Sequence, residues 1–150
     1  MREPLLRRAD PADVEQLIGL VQRFHAEDGH AFDEAVVNRA LRRLLDQPQR
    51  GELWVLEDET NAIVGYFVLG YGYSIEFHGV DAFLDELYLE PALRGRGWGS
   101  LLLSKAEEVA KRAGVRALHL EVTRANQHAA MIYERRGYRD HNRTLMTKWL

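Results

Sequence analysis

Apolar positions recur along the chain at two different periods, and the switch between them separates helices from strands. Leu5 and Leu6 predict a short opening strand that runs into Asp10-Pro11-Ala12-Asp13. Asp10 can cap the free N–H groups of a first turn there, and Pro11, lacking an N–H, suits the first helical position. Val14, Leu17, Ile18, Val21 and Phe24 then fall at helical spacing and turn one stripe toward a core. Val37, Ala40, Leu41 and Leu44 repeat the pattern after a polar connection from Glu27 to Glu34, and Pro48 and Gly51 end this second helix.

From Glu52 the period shortens. Leu53 to Leu56 and Ile63 to Leu69 predict two strands around the turn Asp58-Glu59-Thr60-Asn61. A looser stretch, Gly70 to Gly79, leads to a third strand at Ala82 to Leu89, stopped by Pro91. Leu101, Leu102, Ala106, Val109 and Ala113 give another helix, closed by Gly114. Ala117 to Val122 predicts a strand, Asn126 to Arg136 a short helix ending at Gly137, and Thr144 to Trp149 a last strand. The order predicts one α/β domain, residues 1–150, with two early helices, a meander and a strand–helix–strand unit.

Composition narrows the chemistry. With no cysteine, disulfides, thiolate nucleophiles and cysteine-ligated metals are excluded together. The six histidines show no metal-ligand spacing, so no metal is expected. A net charge of −3 disfavours a general nucleic-acid binder. No apolar run approaches the roughly 20 residues that span a bilayer, and Met1 to Ala9 lacks the apolar core of a secretory signal. A soluble cytoplasmic protein with no membrane partner is the expectation.

The most informative segment is Arg94-Gly95-Arg96-Gly97-Trp98-Gly99, between a strand and an amphipathic helix. Glycines let the backbone turn tightly and bring its N–H groups close to a ligand. The helix start adds unpaired N–H groups and the positive end of its dipole, and two arginines add charge. A pyrophosphate suits such a place. A solvated glycine-rich connection is the plainer alternative. The segment lacks the Gly-Lys-Ser/Thr ending of a P-loop, and its glycine spacing differs from a Rossmann fingerprint.

R-x-x-G-x-G after a strand and a Pro, followed by Leu-Leu in a helix, resembles the acetyl-CoA signature of the GNAT superfamily of N-acetyltransferases. Asn126-x-x-Ala129-x-x-x-Tyr133, then Gly137-Tyr138, is similar to the family's later motif. The resemblance covers essentially the whole chain. It implies a GNAT-like acyl-CoA N-acyltransferase fold: a central mixed, mostly antiparallel sheet flanked by helices. It also implies acetyl-CoA as co-substrate. Tyr73-Ser74 and Phe83 to Leu89 are similar to the diamine acetyltransferase-like branch, but that branch has Glu-Asp where this chain has Asp85-Glu86.

Acetyl transfer to nitrogen needs a neutral amine, and alkyl amines have pKa values of about 10, so a base must remove a proton. Strand alternation puts Phe83, Asp85, Leu87 and Leu89 on one face and Glu86, Tyr88 and Glu90 on the other. In the resembling family the position of Asp85 points into the acceptor site. Asp85 is therefore the first candidate base and Glu86 the second. The departing thiolate needs a proton, and the family match assigns that to Tyr133, which spacing alone would make a core tyrosine. Asn126 can hydrogen-bond the cofactor or cap its own helix. The resemblance further implies that the edge of Leu87-Tyr88-Leu89 pairs with the amides of pantetheine. The turn Arg94 to Gly99, with Asn126 and Tyr133, completes the expected cofactor site.

In the resembling fold the early connection flanks the acceptor groove, so Asp85, Glu86 and Glu90, with Glu27, Asp28, Asp33 and Glu34, favour a small cationic amine with a second positive charge over one carrying a carboxylate. A solvated acidic face is the alternative, and a small-molecule acceptor is expected over a protein. A homodimer is left open. The competing function is a non-catalytic acyl-CoA-binding regulatory domain, which would need neither Asp85 nor Tyr133.

Overall fold

The computed structural model of the protein describes residues 3–150. Met1 and Arg2, which open the charged stretch read as lacking a signal's apolar core, lie outside the described residues. Contacts divide the chain into two compact units, Met1–Leu120 and Glu121–Leu150.

The first unit holds strands β1 (Leu5–Arg8), β2 (Gly51–Glu57), β3 (Ile63–Ser74), β4 (Gly79–Leu89) and β5 (Leu118–His119) in one sheet of order β1-β2-β3-β4-β5. The first three pairings are antiparallel and the last, β4 with β5, is parallel. This is the expected mixed, mostly antiparallel sheet. Helices α1 (Val14–Glu27) and α2 (Glu34–Asp46) lie against one face. Helix α3 (Trp98–Arg112) packs on β3 and β4.

The apolar stripe of α1 does what its spacing predicts. Val14, Leu17, Leu20 and Val21 are buried with Leu41 of α2, Leu53 and Val55 of β2, Tyr66 of β3 and Tyr88 of β4. Asp10 accepts from Ala12 N–H at 2.8 Å, and Asp13 accepts from Asp10 N–H at 2.8 Å, so a capping box starts the turn that leads into α1. Arg7 on β1 clamps that turn, giving Asp13 two hydrogen bonds of 2.8 and 2.9 Å and reaching Glu57 of β2.

Three boundaries differ from the sequence reading. Helix α2 already ends at Asp46, and Gly51 instead opens β2, where a Cβ would lie 1.9 Å from the Leu69 carbonyl oxygen. The stretch from Gly70 is no loose connection: β3 runs on to Ser74 and β4 starts at Gly79, a long hairpin turning at residues 75–78. The strand expected from Ala117 to Val122 pairs only at Leu118 and His119.

The second unit contains α4 (Gln127–Arg135). The left-handed Gly137 (φ 96°) turns the chain after it, so Tyr138 N–H reaches the Tyr133 carbonyl at 3.1 Å and the two rings meet edge-on at 5.8 Å. The strand expected at Thr144 to Trp149 is not formed. A strand exists only through its ladder, and these residues join none, leaving Leu145, Met146 and Trp149 exposed.

Candidate active site

A β-bulge decides how the two candidate carboxylates are presented. On β3, Val68 and Leu69 are adjacent, yet they oppose Glu86 and Leu84 of β4, so Asp85 is the extra residue between them. Asp85 is exposed, whereas Glu86 is half-buried on the face covered by α1. Tyr66 donates its hydroxyl to Glu86 Oε1 at 2.7 Å, and His25 Nε2 lies 2.6 Å from Glu86 Oε2. Burial, followed by the negative charge of Glu86, pushes the Tyr66 phenol upward, so it remains a donor.

Sequence reasoning missed both partners of Glu86. The sequence marks His25 only as one of six histidines without metal-ligand spacing, yet it stands four residues after Val21 and eight after Leu17, on the buried stripe of α1. That placement was the available signal. Tyr66 sits in a strand whose apolar residues mask it.

Beyond the bulge, β4 has a free side. Among the described residues β5 pairs only with Ala82 and Phe83, so no strand flanks Leu87, Tyr88 and Leu89 away from β3. Tyr88 is buried, with its ring against Phe24 at 6.0 Å, while Leu87 is half-buried. An extended ligand bearing amides can add to such an edge.

The glycine–arginine turn follows directly. Gly95 (φ 75°) and Gly97 (φ 87°) are both left-handed, and Gly97 is the N-cap of α3. A Cβ at Gly95, Gly97 or Gly99 would meet nothing within 4 Å, so the turn is an open cradle of backbone. The first helical bond runs from Leu101 N–H to the Gly97 carbonyl, which leaves the N–H groups of Trp98, Gly99 and Ser100 ahead of it. A pyrophosphate-bearing cofactor fits this cradle.

The two arginines divide. Arg96 is exposed on the turn. The Arg94 guanidinium is already engaged: Nε donates to the Leu89 carbonyl at 2.8 Å, Nη2 reaches both oxygens of Glu27, and the group lies over the Tyr88 ring at 5.4 Å. Its side chain braces the turn against β4 and α1.

In the second unit, Asn126 Oδ1 accepts from Ala129 N–H at 3.1 Å, so this side chain caps α4. Tyr133 is half-buried, and burial pushes its phenol upward, which keeps the proton on the oxygen near neutrality.

Among the aromatic residues of the β3–β4 hairpin, Tyr71 donates to Glu52 at 2.8 Å, Tyr73 is exposed and Phe77 packs on His119 at 4.6 Å. Several carboxylates of the expected acidic groove are also partnered. Glu27 is held by Arg94, Glu90 by Arg23, and Asp33 accepts from Val36 N–H as the cap of α2. Among the described residues, no cluster of three or more His, Asp or Glu could hold a metal ion, and no helix is long and apolar enough to cross a membrane.

Comparison with known proteins agrees with this fold. The profile of the Acetyltransferase (GNAT) family matches residues 16–138. The chain is 30% identical over 114 residues to the uncharacterized N-acetyltransferase YycN of Bacillus subtilis, covering 76% of this chain and 71% of that one. It is 33% identical over 84 residues to the thialysine N-epsilon-acetyltransferase of Bos taurus, covering 56% of this chain. It spans only about half, 49%, of that relative's length. Among solved structures, an integron cassette protein from the mobile metagenome of Cole Harbour Salt Marsh superposes with a TM-score of 0.83 at 32% identity, covering 97% of this chain and 90% of its own. A predicted acetyltransferase from Clostridium acetobutylicum, solved with acetyl-CoA, shares the fold with a TM-score of 0.81 at 18% identity, covering 97% and 96%.

Proposed function

Because the chain belongs to the GNAT family of acetyltransferases, we propose that it moves the acetyl group of acetyl-CoA directly to a primary amine. The observation that carries this reading is the open backbone cradle of residues 95–99, adjoining the unpaired edge of β4. The family match runs across both units, which supports one catalytic domain over residues 1–150. When bound, acetyl-CoA supplies an acetyl thioester that a neutral amine can attack.

The N–H groups of Gly95 to Gly99 take the pyrophosphate, and Arg96 adds charge there. The edge of Leu87-Tyr88-Leu89 holds the amide-bearing arm, and Arg94 keeps turn and edge together through the Leu89 carbonyl. Glu86 takes the proton that leaves the acceptor ammonium. Its carboxylate is half-buried and oriented by Tyr66 and His25, whereas Asp85 is exposed at the bulge, so Glu86 is favoured over Asp85 as the base. As nitrogen bonds to the acetyl carbon and the carbon–sulfur bond breaks, the Tyr133 phenol gives its proton to the thiolate. Asn126 acts by capping the helix that carries Tyr133.

Relatives named for the ε-nitrogen of thialysine support an amine as the accepting group. The half-buried carboxylate of Glu86, whose described partners are the Tyr66 hydroxyl and the His25 ring, supports a small cationic amine as the acceptor. Thiol release from acetyl-CoA, measured with diamines, lysine and simple monoamines of matched length, tests both levels of the proposal. Release with amines and not without them supports transfer. A diamine preference that narrows at high salt supports the electrostatic reading of the acceptor, because mobile ions screen such attraction within about 10 Å at 0.1 M. No amine-dependent release defeats the proposal, and a preference untouched by salt defeats its acceptor class.

A further inference from the structure

The half-buried ring of His25 carries a cost that packing alone does not explain. Its Nδ1 is shielded from solvent and has no hydrogen-bond partner among the described residues. An unsatisfied buried polar atom typically costs about 1–3 kcal/mol. Leucine or phenylalanine would fill the same space without that cost. The ring is packed edge-on by Phe32 at 6.3 Å and His30 at 5.7 Å and tilted against Phe24 at 5.8 Å, so its plane is set by neighbours. The one polar contact described for the ring is Nε2 to Glu86 Oε2, at 2.6 Å.

A carboxylate only accepts hydrogen bonds, so Nε2 must carry the hydrogen it shares with Glu86. In the neutral ring this fixes the tautomer: Nε2–H donates and Nδ1 keeps a lone pair. Tyr66 donates to the other oxygen of the same carboxylate. The two donors come from different elements, α1 and β3, and hold Glu86 from two directions. Each carboxylate oxygen still has a second acceptor position, which leaves room for a substrate N–H or a water.

Resting on the assignment of Glu86 as the proton acceptor, we infer that His25 is a positioning residue for acetyl transfer. It holds the Glu86 carboxylate in the orientation from which the amine's proton is removed. The contact spans α1 and β4, so the first helix contributes to the chemistry as well as to the core.

His25→Leu keeps the volume and removes the donor, and His25→Gln places an amide N–H near the position of Nε2. With saturating acetyl-CoA, His25→Leu is expected to lower kcat by about 10–100-fold, the scale of a misplaced catalytic group. KM for acetyl-CoA stays within about twofold, because the cofactor cradle lies on other residues, and His25→Gln recovers most of the loss. In a Glu86→Gln background, His25→Leu adds little further loss, since the group it positions is gone. The inference is overturned if kcat of His25→Leu is unchanged while Glu86→Gln is impaired, or if His25→Gln is as slow as His25→Leu in a folded protein. Additive losses in the double variant also overturn it. An unimpaired Glu86→Gln rejects the base assignment itself and His25's role with it, which separates failure of the underlying reading from failure of this one. Should His25→Leu fold poorly, His25→Phe, which fills the space of the ring and also lacks the donor, takes its place in each of these comparisons.

Discussion

Arg94 Nη2 donates to both carboxylate oxygens of Glu27, at 2.9 and 3.0 Å, and so ties the glycine turn to the end of α1. The pair is about half exposed, with side-chain accessibilities of 45% and 43%, so its own contribution to stability is under about 1 kcal/mol. Its consequence is positional. Arg94→Ala also removes the hydrogen bond to the Leu89 carbonyl, and it is expected to raise the Kd for acetyl-CoA by roughly 2- to 12-fold, the size of one hydrogen bond. Glu27→Gln is expected to leave Kd within about twofold. If Glu27→Gln tightens binding at low salt, the freed guanidinium serves phosphate and the bracing role is wrong.

Gly97 is left-handed and opens α3 into empty space. Any L-residue there carries backbone strain of about 1–2 kcal/mol, and an aspartate adds negative charge where phosphate should sit. Gly97→Asp is therefore expected to weaken acetyl-CoA binding more than Gly97→Ala, which shares the strain and not the charge. Isothermal calorimetry on both folded variants measures the difference. Equal affinity in wild type and Gly97→Asp removes the turn from the cofactor site.

Tyr133→Phe deletes the phenol proposed as proton donor and little else. Positioned acid catalysis is commonly worth about 10²–10⁴-fold, so kcat is expected to fall within that range with acetyl-CoA affinity nearly unchanged. Burial holds the phenol above its ordinary value, so the loss should be constant across neutral pH. Equal turnover, with chemistry shown to be rate-limiting, rejects the role.

A stability prediction follows from the clamp at Asp13. Two hydrogen bonds from Arg7 hold its buried carboxyl below the usual carboxylate range, with a further bond from Asp10 N–H acting in the same direction. A carboxyl with a lowered native value stabilises the fold fully above its unfolded value, about 3.9, and loses that contribution as pH falls through the native one. Asp13→Asn should cost about 1–3 kcal/mol at neutral pH. Urea unfolding should show the gap to wild type shrinking below about pH 4. A gap that is constant from pH 7 to pH 3 contradicts this.

Local chemistry carried the readable part of the fold. The stripe from Val14 to Phe24, the cap at Asp10 and the glycines of the turn each depend on residues within one or two turns of chain. So does the end of the short helix at Gly137. What escaped was set by distant partners. The bulge at Asp85 arises from pairing with β3, and simple alternation along β4 cannot reveal it. Glu86 meets His25, 61 residues away, and Arg94 meets Glu27, 67 residues away. Those two contacts are what the proposal of Glu86 as base and of Arg94 as a brace rests on. The segment Thr144 to Trp149 has strand-like composition, but no local signal supplies the neighbour that a ladder requires.

The central claim is direct transfer of acetyl from sulfur to nitrogen. Acetyl-CoA labelled in the acetyl group, incubated with the protein and an accepted amine, tests it in one measurement when the amine is weighed by mass spectrometry and free thiol is counted alongside. The account predicts labelled N-acetyl amine and thiol in a 1:1 ratio, both falling by about 10²–10⁴-fold in Tyr133→Phe. Tight binding of acetyl-CoA with no labelled product from any amine would contradict it, and would leave a cofactor-binding domain without the reaction.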